Sequence, residues 1–97
     1  MRHLYLVAYD VSEAKRLRRV YKKMNAYGDP LQYSVFQCNL SDVEKQRLIE
    51  QLSRIIKHDE DRVMLVDIGP EDGRARIAFE YLGVQPEPAE ERVAIIL

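Results

Sequence analysis

One cysteine, four glycines, two phenylalanines and no tryptophan in 97 residues remove several classes of protein at once. The single Cys38 rules out an intrachain disulfide and an all-cysteine zinc site. A small domain without disulfides suits a reducing compartment. No glycine-rich phosphate loop of the GxxxxGK type is present, so P-loop nucleotide chemistry is excluded. No stretch approaches the ~20 apolar residues of a membrane helix. The apolar run Leu4–Tyr9 is too short for the core of a secretion signal. The expectation is therefore a soluble cytoplasmic domain with no membrane partner. Neither sign of charge predominates: 15 Lys and Arg stand against 16 Asp and Glu, a net charge of −1. Taken as a sum, that counts against nucleic acid, whose binding domains are usually basic.

What is present is a globular composition, 46% hydrophobic, of a length that holds one core. Leu4–Tyr9 is rich in strand formers and ends in Asp10, so it reads as a buried strand. Ala14, Leu17, Val20, Tyr21, Met24 and Tyr27 recur at three- and four-residue spacing, the pattern of one helix face, with Asp10 or Ser12 available as the cap and Gly28 as the stop. Leu31–Leu40 reads as extended, with a bend at Gln32-Tyr33-Ser34 or two short strands. Ser41-Asp42-Val43-Glu44 is a capping box opening a second helix that runs to about Lys57. Asp59-Glu60-Asp61 is an acidic turn, and Val63–Ile68 is a further strand ended by Gly69-Pro70. An acidic linker with Pro86 and Pro88 leads to a last apolar segment, Val93–Leu97.

This order predicts an α+β sandwich of ferredoxin-like βαββαβ type over residues 1–83, two helices on one face of an antiparallel sheet. Residues 84–97 form a linker and an extra C-terminal strand. That apolar end would be an aggregation hazard if free, so it must pair with a sheet edge. An exchanged strand is a common route to a two-fold dimer, and a homodimer is the expectation.

The neutral total hides an asymmetry. Lys15, Arg16, Arg18, Arg19, Lys22 and Lys23 put six cations into nine residues, with no acid between Ala14 and Gly28. The plain reading is a solvated helix face. Such faces usually mix signs, because like charges at four-residue spacing repel, so a row of cations equally suits phosphate contacts that read no base sequence. Asp10, between a strand and this helix, is either a turn residue or a hard-metal ligand, carboxylate oxygen being suited to Mg²⁺ or Mn²⁺. One carboxylate makes a poor site, whereas two copies meeting across a dimer axis make a better one. Tyr33 and Ser34 are either a bend or a substrate contact. His3 and His58 have no partners at ligand spacing and read as surface residues, Cys38 reads as core, and 59–61 lacks the spacing of a calcium loop.

Tyr9-Asp10-Val11 at the strand end, the Arg/Lys-rich helix after it, Tyr27-Gly28, and Gln32-Tyr33-Ser34-Val35-Phe36-Gln37-Cys38 together resemble the small CRISPR-associated adaptation proteins of the Cas2 family. The likeness extends to the tail, in Tyr81-Leu82-Gly83 and Ala94-Ile95-Ile96-Leu97. It implies a homodimer whose C-terminal strand packs on the partner's sheet. It implies a Mg²⁺-dependent endonuclease acting on single-stranded RNA or duplex DNA, with Asp10 of both subunits as catalytic metal ligand and Tyr9 and Ser34 as candidate substrate contacts. It also implies a role in spacer acquisition, in which the dimer bridges two dimers of the CRISPR integrase and holds duplex DNA, with nuclease activity dispensable. Two other readings stand beside it: a non-catalytic DNA-binding scaffold, and a toxin-like ribonuclease or RNA-binding domain. The turn Val11-Ser12-Glu13-Ala14 is shorter than in many relatives, which affects only the contacts of that loop.

Overall fold

In the computed structural model, residues 1–73 and 79–86 are described. The elements run β1 (His3–Asp10), α1 (Ala14–Tyr27), β2 (Asp29–Gln32), β3 (Val35–Leu40), α2 (Asp42–Ile55) and β4 (Arg62–Pro70). The four strands form one antiparallel sheet in the order β2-β3-β1-β4, the ferredoxin-like arrangement. Of the two readings of Leu31–Leu40, a bend or two short strands, the second is the one observed: Tyr33 and Ser34 form the turn between β2 and β3, and β2 begins earlier, at Asp29. The expected terminal strand at 93–97 lies outside the described residues, as does most of the linker before it.

Side chains alternate across the sheet because successive strand residues point to opposite faces. Tyr5, Val7 and Tyr9 of β1 and Phe36, Cys38 and Leu40 of β3 form one buried cluster with Val20 and Met24 of α1 and Leu48, Leu52 and Ile55 of α2. Both helices therefore cover the same face. Fully burying each large apolar side chain contributes about 1.5–3 kcal/mol. The other set of alternating positions, Leu6 and Ala8 of β1, Val35 of β3 and Met64 and Val66 of β4, lies on the face away from the helices. There Leu6 pairs with Val66, and Ala8 with both Met64 and Val35. Met64 and Val66 are 55% and 38% exposed.

The helix ends follow local chemistry. Ser41 and Glu44 complete the capping box, the Ser41 N–H donating to Glu44 Oε1 at 2.8 Å and the Glu44 N–H to Ser41 Oγ at 3.2 Å. The helix α2 ends two residues before the expected Lys57, whose N–H donates instead to Asp61 Oδ2 at 2.8 Å. Gly28 does end α1, though in extended backbone that any residue adopts. Its requirement is packing: a Cβ there would lie 2.5 Å from Cys38 Sγ and against the Gln37 carbonyl. Gly69 sits where β1 and β4 shift register, at φ +131°, a conformation that favours glycine.

Candidate nucleic-acid interface

The strand β1 delivers Tyr9 and Asp10 to one end of the sheet, against the turn between β2 and β3. The Tyr9 N–H donates to the Ser34 carbonyl at 3.0 Å, and the Tyr9 hydroxyl donates to the Tyr33 carbonyl at 3.3 Å. The Tyr9 ring stacks on Phe36 with centroids 6.2 Å apart, and Tyr21 meets Phe36 edge-on at 5.7 Å. Burial, with a smaller contribution from Tyr21, pushes the Tyr9 hydroxyl up to about 12, so it holds its proton at neutral pH and serves as a donor. The Asp10 side chain is exposed at the strand end, and its carboxylate has no hydrogen-bond or ion-pair partner among the described residues.

The loop after Asp10 is held from the other side by Asp61. Its carboxylate, with no exposed surface, accepts from the Ser12 N–H at 3.0 Å, the Ser12 hydroxyl at 3.2 Å, the Lys57 N–H at 2.8 Å and Arg16 Nε at 2.8 Å. The Arg16 guanidinium, above all, and the amide donors hold this carboxyl well below the usual range despite its burial. Arg16 also reaches Glu60 at 3.3 Å. The cap of α1 differs from the expectation of Asp10 or Ser12: Glu13 accepts from the Lys15 N–H at 2.9 Å and the Arg16 N–H at 3.0 Å. Ser12 is committed to Asp61, and Asp10 still belongs to the strand.

These contacts sort the six cations. Lys15, Arg18, Arg19 and Lys22 line one shallow groove of about 370 Å³ on the outer side of α1. Arg16 is turned into the acidic turn, and the half-buried Lys23 lines no part of that groove. Arg18 and Lys22 also line a larger cleft of about 790 Å³, together with Tyr9, Asp10 and Ser34. Five candidate residues from β1, α1 and the turn between β2 and β3 thus share one cavity. Its apolar walls are Leu17, Tyr21 and Tyr33. Leu17 and Tyr21 belong to the apolar helix face read from the sequence, yet they are 40% and 44% exposed. The signal was a helix stripe wider than the core needs. The anchoring role of Asp61 had no such signal, since its partners lie 4, 45 and 49 residues away in the chain.

Among the described residues, Asp10 is the only carboxylate lining the cleft. No group of three or more His, Cys, Asp or Glu side chains able to hold a metal occurs among the described residues. The oxygen donor is of a type that suits a hard cation. No helix among the described residues is long and apolar enough to cross a membrane.

The molecule is a ferredoxin-like domain that presents, among its described residues, an exposed carboxylate beside a cationic cleft. The chain belongs to the CRISPR associated protein Cas2 family, whose model matches residues 1–75. A CRISPR-associated endoribonuclease Cas2 of Rhodospirillum rubrum is 38% identical over 94 residues, covering 97% of this chain and 91% of that protein. The crystal structure of Streptococcus pyogenes Cas2 superposes with a TM-score of 0.71 at 33% identity, covering 82% of this chain and 99% of that one. A hypothetical protein from Thermus thermophilus gives a TM-score of 0.77 at 27% identity, with 91% and 99% covered.

Proposed function

We propose that the protein is a divalent-metal-dependent endonuclease that hydrolyses phosphodiester bonds in single-stranded RNA or duplex DNA, acting as a homodimer in CRISPR spacer acquisition. The observation that carries this reading is Asp10: an exposed carboxylate with no partner among the described residues, at the end of a buried strand, lining the same cleft as Arg18 and Lys22. The names of the relatives, CRISPR-associated endoribonucleases, agree with it.

The dimer completes the chemistry. By strand alternation Asp10 falls on the same side of the sheet as Leu6 and Ala8, the open apolar face. A second copy on that face brings two Asp10 carboxylates into one interface, enough to hold Mg²⁺ or Mn²⁺ with waters and phosphate oxygens. Such a cation, when bound, polarises a phosphoryl oxygen and lowers the pKa of a bound water. The chain's own residues bind and orient. Arg18 and Lys22 neutralise the phosphate next to the scissile bond, Lys15 and Arg19 continue the backbone track, and the Tyr9 hydrogen bonds fix the turn that carries Ser34.

The groove formed by Lys15, Arg18, Arg19 and Lys22 also favours a second reading, a scaffold that holds duplex DNA for two dimers of the CRISPR integrase without cleaving it. Asp10→Asn separates the two. With fold and dimer intact, it should lower divalent-dependent cleavage by about two orders of magnitude or more, while leaving integration by the full complex in place. Undiminished cleavage by the pure variant would overturn the metal-site reading.

A further inference from the structure

The geometry points to a base-stacking subsite beside Asp10, in which Tyr33 and Tyr21 hold one unpaired nucleobase while Arg18 and Lys22 hold its phosphate. The subsite rests on the nuclease reading and names what that reading leaves open, the strandedness of the bound segment.

Tyr33 is 97% exposed, so its ring contributes nothing to the core. Its backbone is nonetheless fixed. The Tyr9 hydroxyl bonds to the Tyr33 carbonyl and the Tyr9 N–H to the neighbouring Ser34 carbonyl. The pinned turn fixes where the Tyr33 ring is presented, so that binding has to order only its side-chain torsions. Across from it, α1 continues its apolar stripe beyond what the core covers, through Leu17 and Tyr21. Tyr21 is itself braced by its edge-on contact with Phe36. Tyr21 and Tyr33 both line the 790 Å³ cleft and also an adjoining one of about 420 Å³, so aromatic surface is offered on either side.

Helix spacing sets the second half of the argument. Leu17 and Tyr21 are four residues apart, and so are Arg18 and Lys22, giving an apolar row and a cationic row side by side on one helix. Neither Arg18 nor Lys22 has an ion pair among the described residues. A nucleotide has the same division, an apolar π-face and an anionic phosphate, and stacking on aromatic side chains beside a basic track is how single strands are held without reading sequence. A base in a duplex is covered on both faces by its neighbours and cannot enter. The cleft therefore takes an unpaired nucleotide, and the outer groove of Lys15 and Arg19 takes flanking phosphates of either form.

Binding is measured in the Asp10→Asn background, so that cleavage does not deplete the probe. The probes are a short single-stranded RNA carrying one fluorescent purine analogue and a blunt duplex of the same sequence. Tyr33→Ala should weaken the single strand roughly five- to one-hundred-fold and abolish the quenching of the analogue, leaving duplex affinity within about twofold. Tyr33→Trp should restore both. Equal loss of single strand and duplex, unchanged single-strand affinity in Tyr33→Ala, or no binding of the single strand by the Asp10→Asn protein would each overturn the subsite. A cleft that instead docks an apolar peptide would leave single-strand affinity unchanged. Absence of divalent-dependent cleavage by the unsubstituted protein overturns the nuclease reading and leaves this binding measurement intact.

Discussion

Arg16 and Arg19 stand one helical turn apart with the same side chain and opposite fates. Arg16 holds a buried carboxylate, whereas Arg19 lines an open groove with no acid in it. Their alanine variants should therefore fail differently. Arg19→Ala should weaken nucleic-acid binding alike for all sequences and reduce the salt slope by about 0.7–0.9, the share of one phosphate. Arg16→Ala leaves Asp61 buried without its cation, so it should lower the denaturant midpoint while the salt slope of the folded protein stays unchanged. Urea titration and binding isotherms at several salt concentrations separate the two. The sequence makes these arginines equivalent because both fall within a run of cations. Only the approach of the 59–61 turn, more than forty residues later, distinguishes them.

At the scale of elements, one carboxylate joins three of them. Asp61 binds the loop after β1, the first turns of α1 and the end of α2, and so sets where Asp10 and the cationic helix stand. Its carboxyl is held low, as are those of Glu13, by backbone amides, Glu44, by the Ser41 amide, and Glu60, by Lys57. Each group lowered in the folded state contributes stability that is present above its unfolded value, about 4, and lost as the pH falls through the folded value. Urea midpoints should accordingly fall as the pH is lowered from about 5 toward 2, and Asp61→Asn should both lower the midpoint at pH 7 and flatten this dependence. The capping box was legible as four letters, because both of its hydrogen bonds are local. The cap of α1 was not, because the tertiary demand of Asp61 on Ser12 displaced the better intrinsic cap in favour of Glu13.

At the scale of the whole molecule, the face left uncovered by the described residues is the side of the sheet opposite the helices. Met64 and Val66 on the edge strand, with Leu6 and Ala8 beside them, form an apolar surface that alternation also extends to Asp10. We expect the protein to sediment as a dimer at micromolar concentration. Replacing Met64 and Val66 together by Lys should shift it to monomer and remove divalent-dependent cleavage with it, because each copy would then hold half a metal site. A double variant that remains dimeric would place the interface elsewhere. The same scale resolves the charge. A net −1 is a cationic groove on one helix set against acids spread over the rest of the chain, one of which, Asp61, neutralises a member of the cationic run.

Period and punctuation in the sequence were sufficient for the strands and both helices, since these depend on contacts between residues near in the chain and on a pattern that alternates by two or recurs by three and four. The ferredoxin-like order followed from the succession of these elements, although its central pairings join residues as far apart as His3 and Pro70. The motifs Tyr9-Asp10 and Gln32-Tyr33-Ser34-Val35-Phe36 likewise carried the family. What only the tertiary structure decided is which charges are spent and which are free. It divided the cations between a buried acid and an open groove, and it left Leu17 and Tyr21 of the apolar helix face exposed to wall a cleft with Tyr33. Those assignments rest on contacts between segments tens of residues apart, where the energy of an ion pair or a ring contact depends on burial and direction, and neither is written in spacing along the chain.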